Sequence, residues 1–165
     1  MIPNFRDTMA GIPTCVGVLI VEHEGDISGC TISSFTSLSV DEGSEKVLFV
    51  LRSNSQTGLH LKELGNGTVS ILEATQAEIA RAAGGNLKSA GLTRFLGENS
   101  ESSISGFPSI RDSCTSFELV LEETVKIDNA ELFICKVVGV RQFDPGYSHP
   151  MVYLNRKFGH FESNA

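Results

Sequence analysis

Short apolar segments separated by polar turns dominate the hydrophobic pattern of this chain. Thr14 to Val21 is apolar and rich in Val and Ile, Glu24-Gly25-Asp26 supplies turn residues, and Ile27 to Ser37 continues with Thr, Ser and Ile. β-branched residues favour strands, and a glycine-containing turn between two such segments favours a β-hairpin. The pattern therefore predicts an antiparallel hairpin near the N-terminus.

A strand, a polar turn and a short helix are predicted next. Val47 to Leu51 is a run of five apolar residues, which is too short for a helix and typical of a buried strand. Arg52 to Thr57 is polar. The helix predicted from Gly58 to Leu64 has hydroxyl-bearing residues at its start and a glycine, Gly65, after its end. The pattern thus places hydroxyl groups at a helix N-terminus.

The middle of the chain contains a strand, a helix and a polar segment. Thr68 to Leu72 is predicted as a strand. Thr75 and Glu78 have the T-x-x-E spacing of a capping box, which predicts a helix that continues through Ala83 and stops at Gly84-Gly85. Gly97 to Ser113 is rich in Ser, Gly and Glu and has no clear periodicity, so it is predicted as a loop or a flexible lid.

The C-terminal part returns to strands, at Phe117 to Leu121, Glu131 to Phe143 and Met151 to Leu154. The chain therefore has six or more strands, mostly antiparallel, and two or three short helices. This content predicts a mainly β fold with short helices (α+β), a small Greek-key-like antiparallel β-barrel. The length of 165 residues fits a single domain, residues 1–165.

Composition excludes several classes of protein. The formal net charge is −7 and Lys and Arg do not cluster, which argues against a nucleic-acid partner. No apolar run is long enough to span a membrane and no export signal is evident, so a cytoplasmic location is expected. The four cysteines have neither metal-ligand spacing nor a disulfide pattern, so no metal site is expected; they are Cys15, Cys30, Cys114 and Cys135.

Several motifs resemble one family. Ser28 to Ser39, SGCTISSFTSLS, resembles the G-x-T-x-S-S-F-x-S-V-S stretch of the flavin reductase-like, FMN-binding split-barrel family. Phe5 to Gly11 is similar to the family's F-R-x-x-M-x helix, and Leu51 to Thr57 to its strand with a polar S-x-T turn. Val69 to Leu72 stands where the family has a V-N-V-L-like strand, and Val152 to Gly159 where it has an L-Y-x-x-x-x-Y-G element. The order and spacing agree over nearly the whole chain.

The resemblance implies an NAD(P)H-dependent flavin reductase that supplies reduced flavin to a partner monooxygenase. It implies a split β-barrel, FMN or alternatively FAD as the flavin, NADH or NADPH as co-substrate, and a homodimer with flavin near the subunit interface. Hydride passes directly from nicotinamide to flavin in such enzymes, so stacking and orientation replace a catalytic side chain. His160, close to the Phe158-Gly159 element, is the one candidate to approach either ring.

The resemblance also implies a set of flavin-binding residues. Amides and hydroxyls for the pyrimidine edge are expected from Thr31, Ile32, Ser33 and Ser34. The phosphate is expected near the turn and its helix, and the residues implied are Leu51, Arg52, Ser53, Ser55, Thr57, Lys157 and Phe158. From the residues alone, a serine or threonine before a helix is more often a cap, and a Ser/Thr-rich strand is more often an exposed sheet face. Lys157 is equally explained as a surface charge.

One departure from the family pattern bears on the nicotinamide. Members often carry a G-D-H triplet, implicated in nicotinamide contact, where this chain has Asp128-Asn129-Ala130. The missing histidine favours an alternative function, a non-catalytic FMN-binding or electron-carrier protein on the same barrel. A barrel that binds haem or pyridoxal phosphate is a more distant alternative, because the sequence shows neither a proximal haem ligand set nor enough basic residues.

Overall fold

The computed structural model describes residues 4–87, 89–103, 105–142 and 149–162, and this part contains twelve strands and four short α-helices. The first half contains α1 (Phe5–Ala10), β1 (Thr14–Cys15), β2 (Gly17–His23), β3 (Asp26–Ile32), β4 (Thr36–Ser39), β5 (Lys46–Arg52), α2 (Gln56–Leu64) and β6 (Asn66–Ile71). The second half contains α3 (Ala77–Arg81), a π-helical turn (Ala82–Asn86), α4 (Ser89–Glu98), β7 (Ser100–Ser102), β8 (Pro108–Ile110), β9 (Thr115–Ile127), β10 (Ala130–Gln142), β11 (Met151–Leu154) and β12 (Lys157–His160).

Seven strands form one antiparallel sheet in the order β3-β2-β6-β9-β10-β5-β4. The two edge strands belong to one continuous chain segment, because β3 pairs with β2 and the immediately following β4 pairs with β5. One segment can lie at both edges only if the sheet curls back on itself, so the sheet closes as a barrel. The predicted mainly β, antiparallel split-barrel fold is confirmed.

The barrel closes at the junction between β3 and β4. Thr36 pairs with Leu48, and the same register two residues earlier brings Ser34 opposite Val50. There the Ser34 hydroxyl accepts a hydrogen bond from the Val50 amide (2.9 Å) and donates one to the Val50 carbonyl (3.2 Å). A side chain thus takes the place of the backbone at this position, and no backbone–backbone hydrogen bond joins Ser33 or Ser34 to any other described residue.

The barrel interior is filled by alternate residues of its strands. In β5 the inward residues are Val47, Phe49 and Leu51, and the Phe49 ring stacks parallel to that of Phe133 from β10, with centroids 5.5 Å apart. Leu61 of α2 is fully buried in the same cluster. The helix therefore closes one end of the barrel and shares its core.

A second apolar layer covers the outer face of β2. Val18 and Ile20 point away from the barrel interior and are fully buried against side chains of α3, α4 and β11. The packing of α4 is close, since a Cβ added at Gly29 of β3 would lie 2.6 Å from Cδ1 of Leu96. Strand β2 is consequently buried on both faces, and β3 lies between the barrel and the helical layer.

Two local predictions are confirmed. The first hairpin joins β2 and β3 through Glu24 and Gly25, which both have positive φ, as type I′ turns require. The helix predicted after the polar turn is α2, which begins two residues earlier than expected. The Ser55 hydroxyl accepts a hydrogen bond from the Gly58 amide (3.2 Å), and Gly65 ends the helix in the left-handed conformation, with φ of 73°.

The predicted capping box is wrong. The N-cap position of α3 is Gln76 and not Thr75, and α3 begins at Ala77 without a side-chain cap. The Thr75 hydroxyl donates to the Glu73 carboxylate (3.0 Å). A cap would require the Thr75 hydroxyl to accept a hydrogen bond from an amide of the first turn, and this needs Thr75 at the N-cap position. The helix also differs at its end, because the α-helix continues after Arg81 as a π-helical turn that contains Gly85 at φ of 119°.

The segment from Gly97 to Ser113 is not the predicted loop or lid. It begins with the end of α4 and continues as the antiparallel β7–β8 pair. Ser109 and Ile110 are buried, and the Ile110 amide donates to the Ser70 hydroxyl of β6 (3.0 Å). Strands of three residues are too short to show an alternating pattern, so β7 and β8 could not be predicted from the hydrophobic pattern.

Two predicted strands are interrupted. Thr14 to Val21 divides into β1 and β2 at Val16, whose amide donates to Met151 and whose carbonyl accepts from Leu72. Ile27 to Ser37 divides at the barrel junction into β3, which pairs with β2, and β4, which pairs with β5. The prediction for Phe143 lies outside the described residues.

Candidate functional site

A cavity of about 290 Å³ lies where the end of β3 faces α3, the π-helical turn and the β11–β12 hairpin. We call it the β3 cavity. Its lining residues are Val16, Thr31, Ile32, Ser33, Ala80, Arg81, Gly84, Tyr153 and Phe158. The cavity therefore combines a polar strand end, an aromatic pair and one charged side chain.

The aromatic wall comes from the β11–β12 hairpin. Asn155 and Arg156 both have positive φ and form the tight turn between the two strands. Tyr153 and Phe158 are directly opposite in the antiparallel register, and their ring centroids are 5.4 Å apart. Thr14 of β1 pairs with Tyr153 and fixes the hairpin beside the barrel. Cross-strand pairing thus presents two adjacent rings to the cavity.

The polar groups at the end of β3 divide into engaged and available ones. The Thr31 hydroxyl donates to the Ala80 carbonyl (2.7 Å), and the Ser34 hydroxyl is engaged with Val50 at the barrel junction. Ser33 is exposed, and its backbone amide and carbonyl have no backbone partner among the described residues. The available donors and acceptors in this wall are consequently the backbone groups and the hydroxyl of Ser33.

Arg81 supplies the charge of the β3 cavity. Its guanidinium lies over the Phe158 ring, with Cζ 5.5 Å from the centroid. Of the described residues that line the cavity, Arg81 alone is ionisable to a cation, and no described carboxylate lies within 4 Å of it. A cation–π contact of this kind uses no N–H group, so the donors of Arg81 remain available to a ligand.

A second cavity, of about 730 Å³, lies beside the turn between β9 and β10. It is lined by Arg52, Ser53, Asn54, Ile127, Asp128, Asn129 and Ala130. The Ser53 amide donates to the Asn129 carbonyl (3.0 Å), which holds the two turns together. The Ser53 hydroxyl is shielded from solvent and has no hydrogen-bond partner among the described residues. An unpaired buried hydroxyl is costly unless a ligand or water satisfies it.

The two cavities flank the barrel junction. Ser33 lines the β3 cavity, the next residue bonds to Val50, and Arg52 of the second cavity lies two residues beyond Val50 on the same strand. Helix α2 begins shortly afterwards, at Gln56. The N-terminus of a nine-residue helix, a serine hydroxyl and an arginine therefore lie close to the strand end that lines the β3 cavity.

The structure distributes the predicted flavin-binding residues unevenly. Thr31, Ile32, Ser33 and Phe158 line the β3 cavity, and Arg52 and Ser53 line the second cavity. The predicted residues that line neither of these cavities are Ser34, Leu51, Ser55, Thr57, Lys157 and His160. The Ser34 hydroxyl bonds across the barrel junction and Ser55 caps α2. The flavin-binding roles of all the residues predicted from the sequence remain predictions.

The remaining predicted residues have other surroundings. The Leu51 side chain is buried in the barrel core, and the buried Thr57 hydroxyl accepts a hydrogen bond from Ser28 (3.2 Å). Lys157 is exposed on β12. His160 lies at the end of the same strand, 3.0 Å from the Glu162 carboxylate and edge-on to the His149 ring, with centroids 5.5 Å apart.

Sequence reasoning missed Arg81 and Tyr153. Tyr153 lies within the quoted Val152 to Gly159 motif and could have been selected there as an aromatic residue beside Phe158. Arg81 lies in the helix predicted after Thr75, outside the motifs that resemble the family, and only the tertiary structure brings it to the cavity. No local signal in the sequence marks it.

Cys30 precedes Thr31 of the cavity wall in the sequence. Burial raises the pKa of Cys30 to about 11 and outweighs hydrogen bonds with Thr57 and Ser55, which lower it. The side chain is therefore a neutral thiol at physiological pH and not a nucleophile. Across the described ranges, no three His, Cys, Asp or Glu side chains are arranged to hold a metal ion, and each helix is too short or too polar to cross a bilayer.

The fold and the site define a class of protein: a small closed antiparallel barrel with a partly aromatic ligand cavity beside its junction. Residues 9–162 match the family model described as the flavin reductase like domain, and the chain belongs to this family. The family prediction made from the sequence motifs is thereby confirmed.

Individual relatives agree in length as well as in sequence. The NADH-dependent flavin reductase StyB of Pseudomonas fluorescens is 28% identical over 159 residues, which cover 93% of this chain and 86% of that protein. The FMN reductase (NADH) RutF of Bradyrhizobium diazoefficiens is 22% identical over 155 residues, covering 94% and 83%. The styrene monooxygenase flavin reductase of Pseudomonas putida S12 superposes with a TM-score of 0.81 at 24% identity, covering 98% of this chain and all of that one.

Proposed function

We propose that this chain is an NADH-dependent flavin reductase that reduces FMN and supplies it to a partner oxygenase. The predicted enzyme class and its flavin and nicotinamide ligands agree with the family and with the relatives, whose names specify NADH. The names also favour NADH between the two donors that the sequence left open. A bound flavin supplies the chemistry, since its ring accepts a hydride from the nicotinamide.

The observation that carries this function is the composition of the β3 cavity. The free backbone amide and carbonyl of Ser33 lie on one side, and the rings of Tyr153 and Phe158 lie on the other. A flat heteroaromatic ring with a polar edge satisfies both walls at once, because the backbone can pair with its edge while the aromatic side chains contact its apolar part. The chain's own residues then bind and orient the ring, and no side chain has to transfer a proton.

The size of the cavity separates the two ends of the flavin. A volume of about 290 Å³ is at the small end for ligand pockets and suits the ring portion of FMN. The phosphate would then lie outside it, and Ser53, Arg52 and the N-terminus of α2 would hold it. The unpaired Ser53 hydroxyl supports this assignment, as do the charge of Arg52 and the helix dipole, which favours an anion.

The homodimer is part of the proposal. The outer face of β9 and β10 carries exposed apolar side chains; Val120, Val138 and Val140 are 38%, 50% and 58% exposed. Apolar side chains grouped on the outer face of a sheet favour association with a second copy. Sedimentation velocity measures the oligomeric state directly, and a monomer at micromolar concentration would contradict the proposed homodimer.

We also propose a cytoplasmic location, in line with the four free thiols.

A comparison of FMN with riboflavin tests the assigned phosphate site. Ser53→Ala removes one hydrogen bond to a charged group, worth about 1.5–3 kcal/mol, and is expected to weaken FMN binding about tenfold or more. Riboflavin has no phosphate, so its affinity should be unchanged. Ser102→Ala, at an exposed position in β7, is the matched control. Equal weakening of both flavins, or of neither, would contradict the assignment of the phosphate to Ser53.

Activity is tested by anaerobic stopped-flow bleaching of FMN absorbance. Bleaching that depends on protein concentration is expected with NADH.

The structure also bears on the alternative function, a non-catalytic carrier. The Asp128-Asn129-Ala130 turn lies in the second cavity and contributes nothing to the lining of the β3 cavity. The missing histidine therefore leaves the flavin ring site intact. Flavin binding without bleaching by either NADH or NADPH would overturn the reductase function and favour the carrier.

A further inference from the structure

We propose that Arg81 stabilises the negative charge that reduction places on the flavin ring, so that the site binds reduced flavin more tightly than oxidised flavin. The inference rests on the proposed function and goes beyond it, because it assigns an electrostatic role to a residue that lies outside the motifs shared with the family. It depends on the position of Arg81, on its lack of a partner and on the charge balance of the reaction.

The position of Arg81 is fixed by two elements. Its backbone is the last residue of α3, next to Ala80, whose carbonyl accepts the Thr31 hydroxyl of the opposite wall. Its guanidinium rests on the Phe158 ring of β12. The side chain therefore spans from the helix to the hairpin along the cavity wall, and the ring under it restricts where the charge can lie.

The charge of Arg81 is not neutralised by the protein. No hydrogen bond or ion pair joins its guanidinium to another described residue, whereas Arg94 and Arg156 each pair with a carboxylate. No acidic residue is among the described residues that line the β3 cavity. A ligand in this cavity consequently meets one uncompensated positive charge, on a chain whose net charge is −7.

The reaction creates a charge of the opposite sign in this place. The C–H bond of the nicotinamide breaks and its hydride, one proton with two electrons, forms an N–H bond on the flavin ring. The nicotinamide is oxidised and becomes a cation, and the neutral flavin ring is reduced and becomes an anion. A cation that is in position before the reaction favours the product and the developing charge, with no cost of reorganisation during the transfer.

The expected magnitude follows from the distance across a small cavity. The two charges are the Arg81 guanidinium and the reduced flavin ring, on opposite sides of the β3 cavity. Partly screened at a protein surface, their attraction should change the dissociation constant of reduced FMN about tenfold. Oxidised flavin has no ring charge and should gain little. The ratio of the dissociation constants of oxidised and reduced FMN should therefore fall about tenfold when the charge is removed. For a two-electron couple this equals a decrease of about 30 mV in the potential of the bound flavin.

The experiment measures these two dissociation constants anaerobically for wild type, Arg81→Gln, Arg81→Lys and Arg94→Gln. Arg94 is exposed on α4, lines neither cavity and carries the same charge, so Arg94→Gln controls for net charge. Arg81→Gln should lower the ratio about tenfold, mainly by weakening the binding of reduced FMN. Arg81→Lys should keep most of the preference, because it keeps the charge. Phe158→Leu keeps the charge but removes its support, and should give an intermediate ratio.

Several results would overturn the inference. If Arg81→Gln weakens both redox forms equally, Arg81 contacts a group that does not change charge, such as the phosphate. An unchanged ratio, or an equal change in Arg94→Gln, would show that the local charge has no role. Flavin binding to wild type separates this test from the test of the proposed function. A protein that binds neither redox form of FMN would refute the proposed function itself and with it the role of Arg81.

Discussion

A methyl group added at Gly29 should destabilise the protein, because helix α4 packs directly on the backbone at this position. The Cβ of Gly29→Ala would lie 2.6 Å from Cδ1 of Leu96 and 3.0 Å from the carbonyl oxygen of Leu19. Leu96 is fully buried, and the Leu19 carbonyl belongs to the β2–β3 ladder, so neither group can move away from the added methyl group without disturbing its own contacts. Overpacking of this kind costs about 1–3 kcal/mol of the free energy of unfolding.

Urea unfolding with a matched alanine substitution measures this effect. Gly91 lies within α4 with no atom near its added Cβ, so Gly91→Ala should raise the free energy of unfolding by about 0.5–1 kcal/mol. The two substitutions add the same methyl group and should change stability in opposite directions. For a domain of this size, Gly29→Ala should lower the melting temperature by about 2–4 °C per kcal/mol.

A double mutant identifies the clash. Leu96→Ala alone should cost about 2–5 kcal/mol through the cavity that it creates. Combined with Gly29→Ala, it removes the contact at 2.6 Å, so the double variant should lose at least about 1 kcal/mol less than the sum of the single losses. A neutral effect of Gly29→Ala, or strict additivity in the double variant, would refute the idea that glycine is required here for helix packing.

Three further outcomes are expected. Burial raises the pKa of Cys30 to about 11 and that of Cys135 to about 12, so neither thiol should react with iodoacetamide at pH 8 until urea unfolds the protein; rapid labelling of the folded protein would contradict this. A hydrogen bond from Lys62 lowers the pKa of Glu131 in the folded protein. The interaction therefore stabilises the fold at pH values above about 4.3, the pKa of a glutamate in the unfolded chain, and this stabilisation is lost as the pH falls through the lower pKa of Glu131 in the folded protein. Glu131→Gln should therefore cost about 1–2 kcal/mol at pH 7 and less at pH 3, and an equal loss at both pH values would exclude this account. Ser55→Ala should cost about 1 kcal/mol by removing the cap of α2, whereas Ser55→Gly should cost only a few tenths, as urea titration can resolve.

Local signals predicted the elements that depend on them. Ser55 and Gly65 bound α2 because a cap and a left-handed glycine act within one turn of the helix. Helix α4 was not predicted, because Gly91 and Gly97 lower its helix propensity, although Leu92, Phe95 and Leu96 have helical spacing. The Thr75 capping box failed because α3 begins one residue later, with Gln76 at the N-cap, and the spacing of two residues does not specify where a helix begins.

The candidate site was predictable only where its residues share a motif. Thr31 to Ser33 and Phe158 came from quoted motifs, and both line the β3 cavity. The inward position of Leu51 could not be derived, because β5 is apolar on both faces and lacks the alternation that marks an interior side. Arg81 reaches the cavity only through the packing of α3 against the barrel and the hairpin.

The shared segment of β3 and β4 limits where this chain can change in length. Residues on either side of Ser34 are paired with different strands, and the two registers are set by a fixed number of residues between them. One residue inserted at this junction would turn every side chain of one ladder to the opposite face, unless the chain bulged there. An insertion after Gly43, in the turn that joins β4 to β5, would only lengthen that turn. Relatives with longer or shorter chains should therefore differ in such turns and keep the junction at constant length.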